Sequence, residues 1–193
     1  GIRFSNGLGK LKAPSSNYPA EFLFLRDDDI PSYVADGVAD LGIVGENLVQ
    51  EKGIDVKVLK KLGFGKCRLS LAIPKDREYS GVGYFEGQSI ATSYRNILSN
   101  YLKQKGINST LTMISGSVEI APSIGLADSV CDLVSSGSTL FKNGLKEVEV
   151  IMKSQAVLIA REENPEEKTQ YIEELLFRME AVHKANKNKY ILL

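Results

Sequence analysis

The chain has 193 residues, 43% of them hydrophobic and 25% charged, which suits one globular domain or two small lobes. Lysine plus arginine and aspartate plus glutamate both number 24, so no net basic field offers itself to a nucleic-acid backbone or an anionic membrane. No apolar run approaches the roughly 20 residues of a membrane span, no segment resembles an export signal, and the two cysteines, Cys67 and Cys131, stand apart, which together read as a cytoplasmic protein with reduced thiols.

In chain order, residues 21–25 (EFLFL) read as a buried strand. The run Arg26, Asp27, Asp28, Asp29, Ile30, Pro31 then opens a helix to about residue 36, with Asp28 or Asp29 as its cap and the proline in its first turn. Residues 41–44 form the next short strand, followed by a turn at Gly45 and Glu46 and a helix to about residue 52. Strands follow at 56–59, 68–73 and 89–92, and Tyr94, Ile97, Leu98, Tyr101 and Leu102 carry the i, i+3, i+4, i+7, i+8 spacing of a helix. Residues 110–114 make another strand, and Ser117 caps a helix reaching residue 126. Residues 130–134 read as a buried strand, Thr139 opens a helix, and 147–152 and 156–160 are β runs. Pro165 starts a long helix with an apolar face of Ile172, Leu175, Leu176, Met179 and Val182. His183 lies on that helix and reads as a packing or surface histidine; without a close Cys/His pair, a structural zinc site is not supported. Such alternation implies an α/β fold with mainly parallel sheets covered by helices.

The stretch from Glu119 to Leu140 holds the densest functional signal. After the apolar strand come Ser135, Ser136, Gly137, Ser138 and Thr139, five residues without a bulky side chain, at the opening of a helix. Free backbone N–H groups converging there suit a phosphate, and an ordinary turn with a Ser or Thr cap suits the same string. Two acids favour the ligand reading: Asp132 precedes the loop within its strand, and Glu119 begins the preceding helix. Phosphate ligands beside carboxylates that bind hydroxyls describe a sugar phosphate.

A weaker echo lies upstream. Placing Asp40 over Asp132 superposes Leu41 on Leu133, Gly45 on Gly137, Asn47 on Thr139 and Leu48 on Leu140. Two similar α/β lobes with Gly45, Glu46 and Asn47 facing the second glycine loop across a cleft would account for this, as would the plain recurrence of strand, glycine and helix in α/β proteins. Two further candidates stand at strand ends. Arg26, with Asp27 beside it, offers a guanidinium suited to phosphate or pyrophosphate oxygens. Thr92, Ser93 and Tyr94 offer hydroxyls and an aromatic face for a phosphate or a base, although capping by Ser93 explains that string almost as well.

These segments, EIAPSIGLADSVCDLVSSGSTL with GSVE at its head, and LRDDDIP, GVADLGIVGEN, CRLSLAIP and IATSY in the same order, closely resemble the ATP phosphoribosyltransferase family, the first enzymes of histidine biosynthesis. The resemblance runs over nearly the whole chain. It implies a two-lobed core like type II periplasmic binding proteins, with lobe I discontinuous over 1–70 and 153–193 and lacking its N-terminal strand and loop. Lobe II would span 71–152 and hold the phosphoribosyl pyrophosphate loop, with hinge crossings near 67–74 and 148–156. It implies that N1 of the adenine of ATP attacks C1 of phosphoribosyl pyrophosphate, with magnesium carried on the leaving pyrophosphate and not held by the protein alone. Ser135, Ser136, Gly137, Ser138 and Thr139 would hold the 5-phosphate, Glu119 and Asp132 would stand near the ribose, and Arg26 would help pyrophosphate depart.

The resemblance also implies a homo-oligomer of dimers assembling into hexamers. Residues 190–193 would lead toward a regulatory domain, absent here, through which histidine feeds back in the long form; a short form with a separate regulatory subunit is the alternative. Three departures stand out. The family's N-terminal strand and basic glycine loop are missing, residues 7–12 lack the usual arginine string and leave Lys10 or Lys12 as substitutes, and Arg95 replaces a proline that commonly follows ATSY. From another class, a solute-binding or effector-sensing module without catalysis would share the two-lobed fold.

Overall fold

The computed structural model describes residues 2–5, 11–163 and 165–187; Lys10 and residues 190–193, singled out above, lie outside them. The chain forms β1 (Lys12–Pro14), β2 (Glu21–Leu23), α1 (Ile30–Ala35), β3 (Leu41–Gly45), α2 (Glu46–Lys52), β4 (Val56–Lys61) and β5 (Cys67–Pro74). There follow β6 (Ser89–Thr92), α3 (Arg95–Lys105), β7 (Thr110–Met113), β8 (Ser129–Val134), α4 (Ser138–Lys142), β9 (Leu145–Ser154), β10 (Ala156–Arg161) and α5 (Glu166–Lys187).

A three-stranded sheet, β3-β10-β4, carries lobe I, and a five-stranded sheet, β7-β6-β8-β5-β9, carries lobe II. The α/β, two-lobed expectation holds, and within it the pairing is mixed. Only β6 with β7 and β6 with β8 run parallel, whereas β10 is antiparallel to both its neighbours and β5 to both of its own. Strands that enter a lobe from the other side meet their neighbours in the opposite sense and need no βαβ crossover. Residues 62–66 and Gln155 connect the sheets. Here the Leu62 N–H donates to the Ala156 carbonyl and the Ala156 N–H to that of Phe64, both at 2.9 Å. Because β5 and β9 lie wholly in the five-stranded sheet, boundaries at 70/71 and 152/153 would divide two continuous strands.

The period of two explains why that sheet is buried on both faces. Along β5, Leu69, Leu71 and Ile73 point into one cluster with Phe85, Ile90, Leu98, Leu102 and Cys131. Ala72 points the other way, with Val130, Val134, Leu140 and Val118. In lobe I, Val34, Val44, Leu48, Val157 and Ile159 make a smaller core. A Cβ at Gly42 would lie 2.6 Å from Ile30 and 2.9 Å from Val34, so glycine there lets α1 approach β3.

Two expected elements differ. Residues 21–25 are no buried strand: β2 pairs only with β1 in a two-stranded antiparallel ribbon, Glu21 exposed and Phe22 half-buried against Phe4. Residues 117–126 form a short 3-10 turn at Val118–Ile120 and further tight turns, with i→i−3 bonds from Ile120, Ala121, Ser123 and Gly125. Pro122 has no N–H to continue an α-helical ladder, and Gly125 turns the chain at φ +72°. α5 appears where the periodicity places it, yet Val182 is exposed.

Two tyrosines tie the sheet of lobe II to its covering segments. The hydroxyls of Tyr79 and Tyr101 donate to the Glu149 carboxylate at 3.0 and 3.1 Å. Burial first, and the neighbouring Glu149 charge with it, pushes both phenols up to about 12. The unfolded chain therefore releases these protons from about pH 10 while the folded chain keeps them to about pH 12, so stability falls as pH rises through that window. Denaturant titrations in steps from pH 9 to pH 12 should show the decline, and Tyr79→Phe with Tyr101→Phe should make it shallower; an unchanged slope in the double variant would contradict this account.

Candidate active site

The loop after β8 is built from its neighbours outward. Gly137 has φ +80°, a conformation glycine takes without a Cβ penalty, and it reverses the chain so that α4 starts at once. Leu140 is buried and fixes that short helix to the core of lobe II. The hydroxyls of Ser136 and Ser138 lie 3.0 Å apart, and Ser135, Ser136, Ser138 and Thr139 are all exposed, so their side chains and the first-turn N–H groups face outward together.

Arg68 sets the orientation of this loop. Its guanidinium forks onto Glu147 with two bonds of 2.5 Å and donates from Nη1 to the Ser135 carbonyl at 3.2 Å. Ser70 Oγ donates to the same carboxylate at 2.7 Å, and the Arg68 guanidinium holds Glu147 below the usual carboxylate range. In a trans peptide the C=O and N–H point in opposite directions, so pinning the Ser135 carbonyl toward Arg68 turns the Ser136 N–H away from it.

Asp132 faces Ser70 across the β5–β8 pair and shares the sheet face of Val130 and Val134. Burial, and after it the charge of Glu119, raises its carboxyl above the ordinary value. Glu119 lies in the 3-10 turn directly after Ser117, whose φ of +51° is the one positive value among the described non-glycine residues. The structure thus puts Glu119 within electrostatic reach of Asp132, on the strand that leads into the loop of residues 135–139. Among the described residues no group of three or more His, Cys, Asp or Glu side chains gathers to hold a metal ion. A pair of carboxylates suits a magnesium ion that arrives on phosphate oxygens and keeps waters as its other ligands.

Tyr94 closes the opposite side. Its ring packs against the cores of both lobes, and its hydroxyl accepts from Asn47 Nδ2 at 3.3 Å. Burial, then the charge of Asp132 and more weakly that of Asp28, pushes its phenol up to about 12. Thr92 and Ser93 are spent internally: Thr92 Oγ1 accepts from the Tyr94 N–H at 2.9 Å, and Ser93 Oγ donates to the Ile114 carbonyl at 2.6 Å. Ser93 therefore does not cap α3.

The upstream glycine loop differs from its echo. The Glu46 N–H donates to the Gln155 carbonyl at 2.9 Å, the Asn47 N–H to Ser154 Oγ at 3.1 Å, and Glu46 pairs with Lys61 at 2.8 Å. Gly45, Glu46 and Asn47 are thereby bound to the crossing segment. Asp40, the counterpart of Asp132, pairs with Lys168 at 2.7 Å.

Arg26 and Asp27 sit on an exposed turn past the end of β2, and not at a strand end as the sequence suggests. The Arg26 carbonyl accepts from the Asp29 N–H at 3.0 Å, Asp27 Oδ1 takes the Asp28 N–H at 3.1 Å, and Asp29 takes the N-cap position of α1 without a side-chain bond to the helix. Two hollows lie elsewhere: one of about 540 Å³ beside Arg77, Ser89 and Asp128 at the far end of the β6–β8 pair, and one of about 710 Å³ along α5, where His183 lies exposed.

Residues 26–181 match the family model of ATP phosphoribosyltransferase. The chain belongs to the ATP phosphoribosyltransferase family. An ATP phosphoribosyltransferase of Bacteroides thetaiotaomicron is 58% identical over 192 residues, covering 100% of this chain and 68% of that protein. One of Cytophaga hutchinsonii is 56% identical over 193 residues with the same coverage. Among solved structures, the ATP phosphoribosyl transferase (HisG:HisZ) complex from Thermotoga maritima superposes with a TM-score of 0.76 at 24% identity, over 97% of this chain and 89% of that one. The periplasmic aliphatic sulphonate binding protein SsuA from Escherichia coli superposes at 0.58 with 15% identity, over 86% of this chain and 62% of its own. The type II binding-protein likeness is therefore one of fold.

Sequence reasoning missed Arg68, Ser70 and Glu147. A lone guanidinium at the head of the apolar run CRLSLAIP is the signal that could have found the first; the others carry none. Replacing Arg68 by Ala leaves Glu147, whose side chain is 23% exposed, with Ser70 alone, at a cost of about 1–3 kcal/mol. It should also lower the backbone order parameters of Ser136 and Gly137, measured by NMR relaxation beside urea unfolding; order unchanged at those two amides would show that Arg68 does not order the loop.

Proposed function

We infer that this chain is the catalytic core of an ATP phosphoribosyltransferase, joining N1 of the adenine of ATP to C1 of phosphoribosyl pyrophosphate with loss of pyrophosphate, the first step of histidine biosynthesis. The supporting observation is the exposed loop 135–139 directly after the strand that carries Asp132, with Glu119 within electrostatic reach of that acid, in a chain of this family.

The chemistry asks for little covalent help. A ring nitrogen is already a nucleophile, and the ribosyl centre grows positive as pyrophosphate leaves, so positioning and charge stabilisation dominate. Loop 135–139 holds the 5-phosphate through hydroxyl and backbone N–H groups. Asp132 and Glu119 accept from the ribose hydroxyls and stabilise the developing positive charge. Arg26, on the exposed turn, meets the departing pyrophosphate, and Tyr94 supplies an aromatic wall between the lobes. Magnesium enters with phosphoribosyl pyrophosphate and supplies neutralisation of the pyrophosphate charge. Lys12 pairs with Glu21 at 3.0 Å, and Arg95 is exposed at the first position of α3. Homo-oligomeric assembly and feedback by histidine accompany this reading through the family resemblance. No helix among the described residues is long and apolar enough to cross a membrane.

Calorimetry with magnesium and phosphoribosyl pyrophosphate, followed by ATP-dependent pyrophosphate release, tests the reading: binding and turnover support it, failure to bind defeats it, and binding without turnover leaves the ligand-binding module. Arg26→Ala should lower turnover by more than about threefold, roughly 0.7 kcal/mol of barrier; a smaller effect removes Arg26 from the mechanism. The raised carboxyl of Asp132 places the acid limb of kcat/KM above the ordinary aspartate range, since the ionised form is the one that stabilises a cation. Asp132→Asn should lower kcat/KM at least about tenfold, about 1.4 kcal/mol, and flatten that limb; a limb of unchanged position would assign it to another group.

A further inference from the structure

The N-terminus of α3 poses a question that its own lobe does not answer. The cap residue, Tyr94, makes no side-chain bond to the helix, and the two hydroxyls before it are committed, Thr92 to the Tyr94 N–H and Ser93 to the Ile114 carbonyl. The orphan N–H groups of the first turn still need acceptors. They find one in lobe I. The carboxylate of Glu51, in α2, accepts from the Asn96 N–H at 2.9 and 3.1 Å through its two oxygens and from the Ile97 N–H at 3.0 Å. In return, Asn96 Nδ2 donates to the Glu51 main-chain carbonyl at 2.8 Å, serving one of the unpaired carbonyls at the end of α2. Two helix ends from different lobes cap one another.

The position of the acid is informative. Glu51 sits in the last turn of α2, where that helix's own dipole disfavours an anion, and at the first turn of α3, where the other helix favours one. Its charge is useful only while the lobes touch. One residue before α3 stands Tyr94, whose ring is shared by both cores and whose hydroxyl meets Asn47, one turn before Glu51 on α2. Whatever holds the N-terminus of α3 against α2 therefore also holds Tyr94 opposite Asp132.

We propose that Glu51 is a positioning residue of the reaction: by capping α3 from the other lobe it holds the cleft at the width that binds phosphoribosyl pyrophosphate. This rests on the functional reading above, since that substrate is assigned contacts in both lobes. A chain that samples the closed arrangement only part of the time binds more weakly by that fraction, with the chemical step intact once the substrate is bound.

Lobe separation and binding are measured separately. Spin labels at the exposed positions Lys57→Cys in lobe I and Lys103→Cys in lobe II, with Cys67→Ser, report the separation without substrate. Glu51→Ala should broaden and lengthen that distance, and should raise both the Kd for magnesium phosphoribosyl pyrophosphate and the KM about tenfold, with kcat within about threefold of the parent chain. Glu51→Gln, which keeps the shape and one accepting oxygen, should fall between the two and serves alone if the alanine variant does not fold. A distance distribution equal to the parent's, or a loss in kcat without a change in KM, overturns the proposal. A parent chain that does not bind the magnesium sugar pyrophosphate defeats the functional reading instead, and the label distances then judge the latch by themselves.

Discussion

Asn47 is buried in lobe I, and its N–H, Oδ1 and Nδ2 are each bonded to another segment of the chain. Its N–H donates to Ser154 Oγ, Ser154 Oγ donates back to its Oδ1 at 2.8 Å, and its Nδ2 crosses to the Tyr94 hydroxyl in lobe II. A buried amide costs about 1–3 kcal/mol when its partner is removed, so these bonds act as a constraint even where each adds little net stability. The strand that supplies Ser154, the crossing at Gln155 and the helix that begins near Tyr94 must all stand where Asn47 requires them. The cleft wall follows from that arrangement, because Tyr94 is the place where the hydrophobic clusters of the two lobes share one ring.

This division of labour explains why the two glycine loops, alike in sequence, serve different ends. Around Gly45 the N–H groups are taken by Gln155 and Ser154, so the loop welds the lobe to its crossing. Around Gly137 the carbonyl of Ser135 is held by Arg68, and the hydroxyls of Ser136 and Ser138 meet each other while staying exposed. The first loop is satisfied by its own chain and the second leaves its hydroxyls exposed. A repeat in strand, glycine and helix predicts similar backbones and says nothing of which loop is occupied.

Much of the fold was legible because it rests on local periodicity. β6 spans the residues that alternation and flanking polar groups mark, and α3 and α5 follow their apolar spacing. The failures are equally physical. Residues 117–126 have the polarity of a helix, yet Pro122 and Gly125 favour tight turns. Residues 21–25 have the composition of a buried strand, yet their one partner is the three-residue β1, which no local pattern marks. In the site, Asp132, Glu119 and loop 135–139 were visible because they are close in the chain and carry a family pattern. Arg68, Glu147 and Glu51 were not, because each acts on a segment dozens of residues away, and nothing in the neighbouring sequence records a partner across a sheet or across a cleft.

On the functional reading, the acid pair bears on whether this cleft is a catalyst's or one that only retains a solute. Two carboxylates in the wall can accept from sugar hydroxyls, but they repel phosphate and are costly to ionise there: burial first, and the charge of Glu119 after it, raises the Asp132 carboxyl. Their cost is offset when the bound species turns cationic at the sugar carbon, a charge that exists only as the bond to pyrophosphate breaks. An arrangement that is unfavourable toward the ground state and favourable toward the transition state is what differential binding requires of a catalyst. The same two acids beside an anion-binding loop are costly to a protein that only holds its ligand, and on the functional reading they suit a transferase.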